Sequence, residues 1–138
     1  MRIYSWNVNG IRSAEKKGFG DWFEKTQPEV LCLQEIRAEA DQVPEHLRAP
    51  KGYFCYWNPC QKKKGYSGTA VLSQIEPDAV EYGFGIDEFD EEGRVVQLVF
   101  PDWVLNSIYF PNGGQGEDRV DYKLRFYDAF LDNCIGWL

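Results

Sequence analysis

Histidine and paired cysteines are nearly missing from this chain. The sequence has one histidine, and its four cysteines, at positions 32, 55, 60 and 134, include no CxxC pair. A zinc site is therefore not expected, because zinc sites commonly use such pairs together with histidines. The spacing does not indicate a disulfide framework either. Cys32 lies inside the apolar run Val30–Leu33, which favours a buried thiol.

Long apolar runs, internal repeats and low-complexity stretches are also absent from the sequence. No apolar run approaches the length that spans a bilayer. The first residues, MRIYSWNVNG, have no apolar signal region and begin a strand-like pattern at once. We therefore expect no membrane association and no secretion, and a location in the cytoplasm, or in the nucleus if the source is eukaryotic.

The composition is that of one globular domain with an uneven distribution of charge. Of the 138 residues, 43% are hydrophobic and 16% aromatic, which suffices for a sizeable core. The net charge of −7 argues against a uniformly nucleic-acid-binding surface. A local basic face remains compatible with it, because fields are short-ranged at physiological salt. Basic residues gather at Arg12 with Lys16 and Lys17, at Lys62–Lys64 and at Arg119 to Arg125, whereas the acidic run Asp87–Glu92 is expected to be a solvated loop.

Short apolar segments alternate with a few amphipathic ones, which predicts a mixed α+β fold. Strands are predicted at Arg2–Asn7, Val30–Gln34, Tyr53–Trp57, Thr69–Ser73, Arg94–Phe100 and Trp103–Tyr109. A helix is predicted around Phe19 and Phe23, and a short one at Asp41–Leu47. A long helix over Asp118–Trp137 has one apolar stripe, formed by Tyr122, Phe126, Ala129 and Phe130.

Two polar residues directly follow apolar strands. Asn7 comes after Ile3–Trp6, and Glu35 closely follows Val30–Leu33. A carboxylate at the end of a buried strand is held firmly, and magnesium prefers one or two such oxygens together with waters and phosphate. A single carboxylate is a weak signal, however, and the spacing alone is explained better by a solvated glutamate.

Four short strings occur in a fixed order: SWNVNGIR (Ser5–Arg12), LQE (Leu33–Glu35), GYSG (Gly65–Gly68) and YFPN (Tyr109–Asn112). Together they closely resemble the exonuclease III and apurinic endonuclease family of the DNase I-like endonuclease–exonuclease–phosphatase superfamily. The strings GYSGTAVLS and EEGRVV are most similar to the branch with the animal abasic-site enzymes. The resemblance implies half of a four-layered α/β/β/α sandwich, mainly one mixed β-sheet with flanking helices. Most strands, including Arg94–Phe100 and Trp103–Tyr109, are expected in that sheet, whose inner face would then need a partner.

The resemblance also implies roles for residues at the strand ends. Glu35 matches the family's metal-binding glutamate, and Asn7 matches the asparagine beside the metal and the attacked phosphate. Asn9 matches an Asp or Asn position that helps to hold a second metal. Tyr109 matches the tyrosine that contacts the scissile phosphate, and Asn112 matches an asparagine lining the same pocket.

Further positions match DNA contacts in the family. Arg12, Tyr66 and Arg119 match residues that contact the DNA backbone, although Tyr66 is equally compatible with a stacked loop residue. Gly65 and Gly68 would allow the main chain to pass close to phosphate.

Four other residues carry separate expectations. Gln115 stands where some relatives carry an arginine that inserts into the duplex, a departure that argues against tight holding of the product. Trp6 is expected in the core, and Arg37 is expected to be exposed rather than a ligand. His46 is expected on the surface, and it does not match the family's catalytic histidine.

The implied activity is hydrolysis of the DNA backbone with magnesium, or manganese, as the cofactor. The cut would fall 5′ of an abasic nucleotide, or nucleotides would be removed from a 3′ end. The implied partner is therefore double-stranded DNA with abasic sites or 3′ ends. The alternatives are another phosphodiesterase or phosphatase of the same superfamily, and a non-catalytic chain.

The family's GDxN and SDH strings, which help to orient the attacking water, do not occur in these 138 residues. We therefore expect residues 1–138 to form the N-terminal half of a DNase I-like domain. Such a half is expected to be poorly active or inactive alone. It is also expected to pair with a copy of itself or with a complementary C-terminal half, or to aggregate.

Overall fold

The computed structural model of the chain is an α+β fold, as the sequence predicts. The structure describes residues 1–114 and 116–138. The strands are β1 (Ile3–Asn7), β2 (Val30–Gln34), β3 (Phe54–Asn58), β4 (Thr69–Ser73), β5 (Ala79–Glu81), β6 (Val95–Val99) and β7 (Val104–Ile108). The helices are α1 (Ile11–Lys16), α2 (Phe19–Thr26), α3 (Glu45–Arg48), α4 (Asp87–Asp90) and α5 (Glu117–Gly136), with a 3₁₀ turn at Ala40–Gln42.

Pro44 divides the segment that we expected to be one short helix. The chain forms the 3₁₀ turn at Ala40–Gln42, becomes extended at Val43, and then enters α3. Proline disfavours helical backbone at the residue before it, which explains the break. The short elements β5 and α4 were not predicted, because three or four residues are too few to establish a periodicity.

The strands form two sheets. The first has the order β1-β2-β4-β3, with β1 parallel to β2 and the other neighbours antiparallel. The second has the order β5-β6-β7 and is antiparallel throughout. Strands β6 and β7 therefore lie in the second sheet, whereas we expected them mainly in the first. They pair with each other as a hairpin. The sequence of a hairpin does not indicate which sheet it will join.

The two sheets pack face to face. Val30, Cys32 and Val71 of the first sheet form one buried cluster with Val96 and Leu98 of the second. Alternate residues on β2 point to opposite faces, so both faces of this strand are buried. The inner face of the first sheet is thus covered within the chain, and the expectation that it lacks a partner is wrong. Cys32 is buried, as predicted.

Helices α1 and α2 cover the outer face of the first sheet. Phe19 and Phe23 point inward from α2 and are 2% and 3% exposed, as their helical spacing predicts. Trp6 packs on Phe19, with ring centroids 5.3 Å apart, but it remains 37% exposed. The expectation that Trp6 lies in the core is therefore wrong, because β1 pairs on one side only and leaves its residues at the edge of the sheet.

Helix α5 packs on the second sheet through the predicted stripe. Tyr122 and Phe126 are buried against Phe89 and Val95, and Ala129 is partly buried beside them. This packing fixes the first turn of α5, where Arg119 lies. Among the described residues, no helix combines the length and apolarity needed to cross a bilayer.

Candidate metal and phosphate site

Glu35 and Asn7 meet at the carboxyl ends of two parallel strands. The register of β1 and β2 pairs Asn7 with Gln34, the residue before Glu35. The side-chain amide of Asn7 donates a 3.0 Å hydrogen bond to Oε1 of Glu35. Asn7 is exposed, and the Glu35 side chain is 13% exposed, so both reach the surface at one point. The sequence predicted both residues at strand ends, and the structure brings them together.

The backbone at Glu35 is unusual for a residue other than glycine. Its φ is +53°, in the left-handed region, and Arg37 follows with φ +51°. Such conformations cost about 1–3 kcal/mol each and persist only where the surroundings hold them. Here the amide of Gly10 donates to the carbonyl of Glu35 at 2.7 Å, and the amide of Arg37 donates to the carbonyl of Ser67 at 2.9 Å. The turn that presents the carboxylate is therefore fixed from two sides.

Glu35 already carries an ion pair with its own chain. Arg37 donates from Nε to Oε2 of Glu35 at 3.0 Å, and its terminal nitrogen lies 2.8 Å from the same oxygen. Burial alone would raise the pKa of Glu35, but the bonds from Asn7 and Tyr109 and the charge of Arg37 hold that pKa below its ordinary value. Glu35 is thus an anion at neutral pH. Arg37 is exposed, as expected, but its pairing with Glu35 was not expected.

Tyr109 lies just after β7 and beside Glu35. Burial, the hydrogen bond to Glu35 and the charge of that carboxylate raise the pKa of the Tyr109 phenol. The phenol therefore stays protonated at neutral pH and can donate a hydrogen bond. The guanidinium of Arg94 lies over the Tyr109 ring, 5.0 Å from its centroid.

Asn9 lies two residues after Asn7, and Asn112 lies three residues after Tyr109. The two side chains have different surroundings. The backbone amide of Asn9 donates to Oδ1 of Asn7 at 3.0 Å and so helps to orient that side chain. Asn112 is exposed, and its Oδ1 accepts a 2.9 Å bond from the amide of Gly114. Within residues 1–114 and 116–138, neither side chain is hydrogen-bonded to Glu35. The expectation about Gln115 falls outside the described residues.

The GYSG loop packs directly against the turn at Glu35. A Cβ atom at Gly68 would come within 2.5 Å of Ile36 Cγ1, and the φ of Gly68 is +89°. Gly68 is therefore required by contact with Ile36, and its approach to phosphate stays a prediction. Gly65 has φ +72° with open space where a Cβ would lie. Arg12 donates to the carbonyl of Arg37 at 3.0 Å, which puts its exposed guanidinium at the same edge.

Tyr66 and Arg119 lie together on a basic groove of about 360 Å³. Besides these two residues, the groove is lined by Cys60, Lys62, Lys63 and Glu92. The terminal nitrogen of Arg119 lies 3.5 Å from the hydroxyl of Tyr66, which accepts from it. Arg94 donates to the same hydroxyl at 2.9 Å. The structure thus brings Tyr66 and Arg119 together, and it joins them to Arg94, which the sequence did not single out.

The acidic run Asp87–Glu92 is not the solvated loop that we expected. Its first residues form α4, and Glu92 at its end is 2% exposed. Glu92 forms ion pairs with Arg94 and Arg119, at 2.9 and 3.1 Å. The string EEGRVV contains both Glu92 and Arg94, and an acid two residues before a base beside an apolar strand was the available signal. His46 is exposed, as expected, with Nε2 2.6 Å from Oε2 of Glu15.

The donor set at Glu35 suits a hard cation that keeps most of its waters. It offers one carboxylate and the amide of Asn7. Over the part of the chain that the structure describes, no three His, Cys, Asp or Glu side chains form a metal-holding group. Magnesium commonly binds through one or two carboxylates and takes its other ligands from water and phosphate. The residues therefore fit magnesium better than a metal that needs a full set of protein ligands.

Two facing sheets, with a glutamate and an asparagine at the ends of parallel neighbouring strands, are the architecture of DNase I-like proteins. The chain belongs to the Endonuclease/Exonuclease/phosphatase family, whose sequence pattern matches residues 4–136. It is 41% identical over 136 residues to an exodeoxyribonuclease of Bacillus subtilis (strain 168), covering 98% of this chain and 52% of that protein. It is 43% identical over 124 residues to the DNA repair nuclease APEX1 of Danio rerio, covering 89% of this chain and 40% of that protein.

Solved structures show the same fold. An AP endonuclease from Archaeoglobus fulgidus superposes with a TM-score of 0.77 at 28% identity, over 94% of this chain and 49% of that one. The 3′ phosphatase NExo (D146N) from Neisseria, bound to product DNA hairpin, gives a TM-score of 0.81 at 24% identity, over 97% and 51%. The chain thus spans about half the length of these relatives. The resemblance to the exonuclease III and apurinic endonuclease family is confirmed.

Proposed function

We propose that this chain carries the metal- and phosphate-binding part of a DNA repair phosphodiesterase. Its substrate is double-stranded DNA, cut 5′ of an abasic site or shortened from a 3′ end. The observation that carries the proposal is the cluster of Glu35, Asn7 and Tyr109, which lies at one edge of the protein near the basic groove at Tyr66 and Arg119. Such a role implies action in the cytoplasm, or in the nucleus of a eukaryote.

The chemistry follows from what each side chain can do. Magnesium, or manganese in its place, would be held by Glu35 with Asn7, and Asn9 would support it; the ion supplies Lewis acidity and neutralises phosphate charge. Tyr109, which stays protonated, would turn its one O–H from Glu35 to a phosphate oxygen where negative charge grows. Asn112 offers a second, exposed amide to the same group.

The basic side chains act on the rest of the duplex. Arg12, at the edge beside Arg37, and Arg119, in the groove with Tyr66, bind backbone phosphates and set the register of the strand. Gly65 leaves the GYSG loop open to a close approach. These contacts are electrostatic, so the affinity for DNA falls steeply as salt rises.

Loss of one carboxylate tests the proposal. The purified protein is assayed for magnesium-dependent nicking of a duplex with a single abasic site, and for binding to it by fluorescence anisotropy. Because nicking by the chain alone is expected to be weak, the magnesium-dependent gain in DNA affinity is the main readout. Glu35→Ala is expected to remove that gain together with any nicking, whereas Glu24→Ala, which removes an exposed carboxylate on α2, leaves both unchanged. An equal gain in DNA affinity with magnesium in both variants, or a preference for a phosphate monoester or a lipid phosphodiester over DNA, would overturn the proposal.

We also propose that residues 1–138 form one half of a DNase I-like domain and that a complementary half docks beside β1 and β7. These edge strands flank a cleft of about 370 Å³, lined by Ile3 and Ser5 on one side and by Leu105 and Ile108 on the other. Edge strands present unpaired backbone groups that another strand can pair with. A second half of similar length exists in a relative, because this chain covers only 52% of the Bacillus subtilis exodeoxyribonuclease.

Co-expression tests the docking. The part of the Bacillus subtilis protein outside the matched segment is produced with this chain, and the mass of the purified product is measured by light scattering. A one-to-one complex is expected. A homodimer would assign the cleft to a second copy instead. A monomer that is stable over a wide range of concentration and ignores the added half would overturn the proposal.

A further inference from the structure

A buried carboxylate holds two guanidinium groups beside the candidate site. The side chains of Glu92 and Arg94 are 3% and 1% exposed. Arg94 donates to Oε1 of Glu92 from Nε at 3.1 Å and from a terminal nitrogen at 2.9 Å. Arg119, from α5, donates to both oxygens of Glu92, at 3.1 and 3.3 Å. Burying charges is costly unless they are paired and hydrogen-bonded, and here one anion compensates two cations.

The geometry of this turn is fixed by the residue between the two partners. Gly93 has φ +63°, and a Cβ there would lie 2.5 Å from the carbonyl oxygen of Asn58. Only glycine fits such a position without displacing main chain. The backbone therefore brings the side chains of Glu92 and Arg94 together two residues apart, and it anchors them against β3.

The two terminal nitrogens of Arg94, one of which also binds Glu92, reach the two tyrosines of the candidate site. One terminal nitrogen donates to the carbonyl of Tyr109 at 3.0 Å, and the other donates to the hydroxyl of Tyr66 at 2.9 Å. The guanidinium also lies 5.0 Å from the ring centroid of Tyr109 and 5.7 Å from that of Tyr66. Arg94 is thus the bridge between the tyrosine beside Glu35 and the tyrosine of the GYSG loop.

Arg119 carries the same network to the surface. It stacks on Tyr122 at 4.1 Å, reaches the Tyr66 hydroxyl at 3.5 Å, and remains 24% exposed in the groove with Lys62 and Lys63. One guanidinium is therefore turned inward to the tyrosines, and the other is turned outward to the groove. Both depend on the same carboxylate for their direction.

We propose that Glu92 is a positioning residue that fixes Arg94 and Arg119 and, through Arg94, the places of Tyr66 and Tyr109. The proposal rests on the function proposed above, because it assigns these groups to the binding of a DNA backbone. Without the carboxylate, two cations would face each other in a buried space and move apart. Arg119 would then leave its place beside the Tyr66 hydroxyl, and the tyrosine beside Glu35 would lose its lateral support.

Glu92→Gln is the main test, because it preserves shape and removes the charge. Glu88→Gln is the matched control, since Glu88 lies on α4, pairs with Arg125 and is 47% exposed. We expect Glu92→Gln to weaken binding to abasic duplex by about tenfold, the usual loss when charge-assisted hydrogen bonds are broken. The slope of affinity against salt should also fall, because one phosphate contact, that of Arg119, is lost. Glu88→Gln should change neither quantity.

A double-mutant cycle separates positioning from simple stabilisation. Glu92→Gln and Tyr66→Phe are expected to be strongly non-additive in DNA affinity, because each breaks the same chain of contacts. Wild-type affinity in a folded Glu92→Gln protein, or full additivity of the two changes, would overturn the proposal. Should Glu92→Gln fail to fold, Arg119→Lys replaces it, since lysine keeps the charge but loses the two-armed contact with Glu92. Wild-type affinity in that variant would overturn the proposal equally.

A measurement without DNA keeps this proposal distinct from the proposed function. The Nε–H group of Arg94 and the terminal Nη–H groups of Arg119, which donate to Glu92, are followed by NMR exchange with solvent. Slow exchange in the wild type and fast exchange of Arg119 in Glu92→Gln are expected. If the wild type shows this behaviour but binds no DNA, the proposed function fails and the network stands. If the wild type binds DNA and Arg119 exchanges equally fast in both proteins, the positioning role fails.

Discussion

Glu35 and Arg37, two residues apart and each in a left-handed backbone conformation, form an ion pair of 2.8 Å. The carboxylate that suits a metal ion is thus already compensated by a cation of the same chain. The pair is partly exposed, since the Arg37 side chain is 47% accessible. An incoming cation therefore competes with a partner that is exposed to solvent.

Magnesium should bind weakly without DNA and more tightly when Arg37 is neutralised. Glu35 is the one carboxylate at the described site, and magnesium keeps most of its waters until substrate phosphate arrives. By calorimetric titration, Arg37→Gln should bind magnesium several-fold more tightly than the wild type, and Glu35→Gln should show no binding heat. Arg2→Gln, at the opposite end of β1, is the control and should match the wild type. A tight site that survives Glu35→Gln would contradict this prediction.

Acid should destabilise the wild type more steeply than the Glu35→Gln variant. The pKa of Glu35 is lowered from an ordinary 4.5: burial raises it, but the bonds from Asn7 and Tyr109 and the charge of Arg37 outweigh burial. A lowered pKa in the fold contributes stability that is present above the ordinary value and is lost as the pH falls through the lowered one. The urea midpoint, measured from neutral pH to below that range, should fall less steeply in Glu35→Gln. Identical pH profiles for both proteins would refute the assignment.

Gly68→Ala should destabilise the fold, whereas Gly65→Ala should have a smaller effect. At Gly68 a Cβ would collide with Ile36 at 2.5 Å in a left-handed conformation, while at Gly65 the left-handed conformation is the only obstacle. We expect Gly68→Ala to lower the free energy of unfolding by about 2–4 kcal/mol, the sum of backbone strain and overpacking. Urea unfolding measures both variants. In an Ile36→Ala background, which removes the Cγ1 that the new Cβ would meet, Gly68→Ala should cost less than in the wild type, and an equal cost would point to the backbone alone.

The 138-residue chain should be a poor nuclease by itself. Its single histidine, His46, is paired with Glu15 on α1 and not with Glu35. The side chains of Asn7 and Arg37, which are bonded to Glu35, cannot act as a base toward water at neutral pH. Loss of groups that activate the attacking water commonly costs several powers of ten in rate. Turnover on abasic duplex, compared with the Bacillus subtilis exodeoxyribonuclease, checks this, and turnover near the level of that enzyme would contradict it.

The sequence predicted where strands end better than it predicted which strands pair and which side chains contact each other. Asn7 and Glu35 could be placed at strand ends because each follows a short apolar run that is typical of a buried strand. The sequence could not predict that β6 and β7 pair in a separate sheet, because the two strands of a hairpin have the same sequence pattern in either sheet. The burial of Glu92 was missed for a related reason: its partner Arg119 lies 27 residues away and is brought near only by the packing of α5.

Cys32, buried where the two sheets meet, is an internal probe for opening of the contact between the two sheets. Burial raises the pKa of this thiol to about 11, so almost no thiolate is present at neutral pH and a modifying reagent has no reactive target while the sheets are closed. Its labelling rate, read by mass spectrometry against that of the more accessible Cys134, therefore reports how often the Cys32 sulfur becomes exposed. Any ligand or second polypeptide that holds the two sheets together should lower the labelling rate of Cys32, whatever its chemistry.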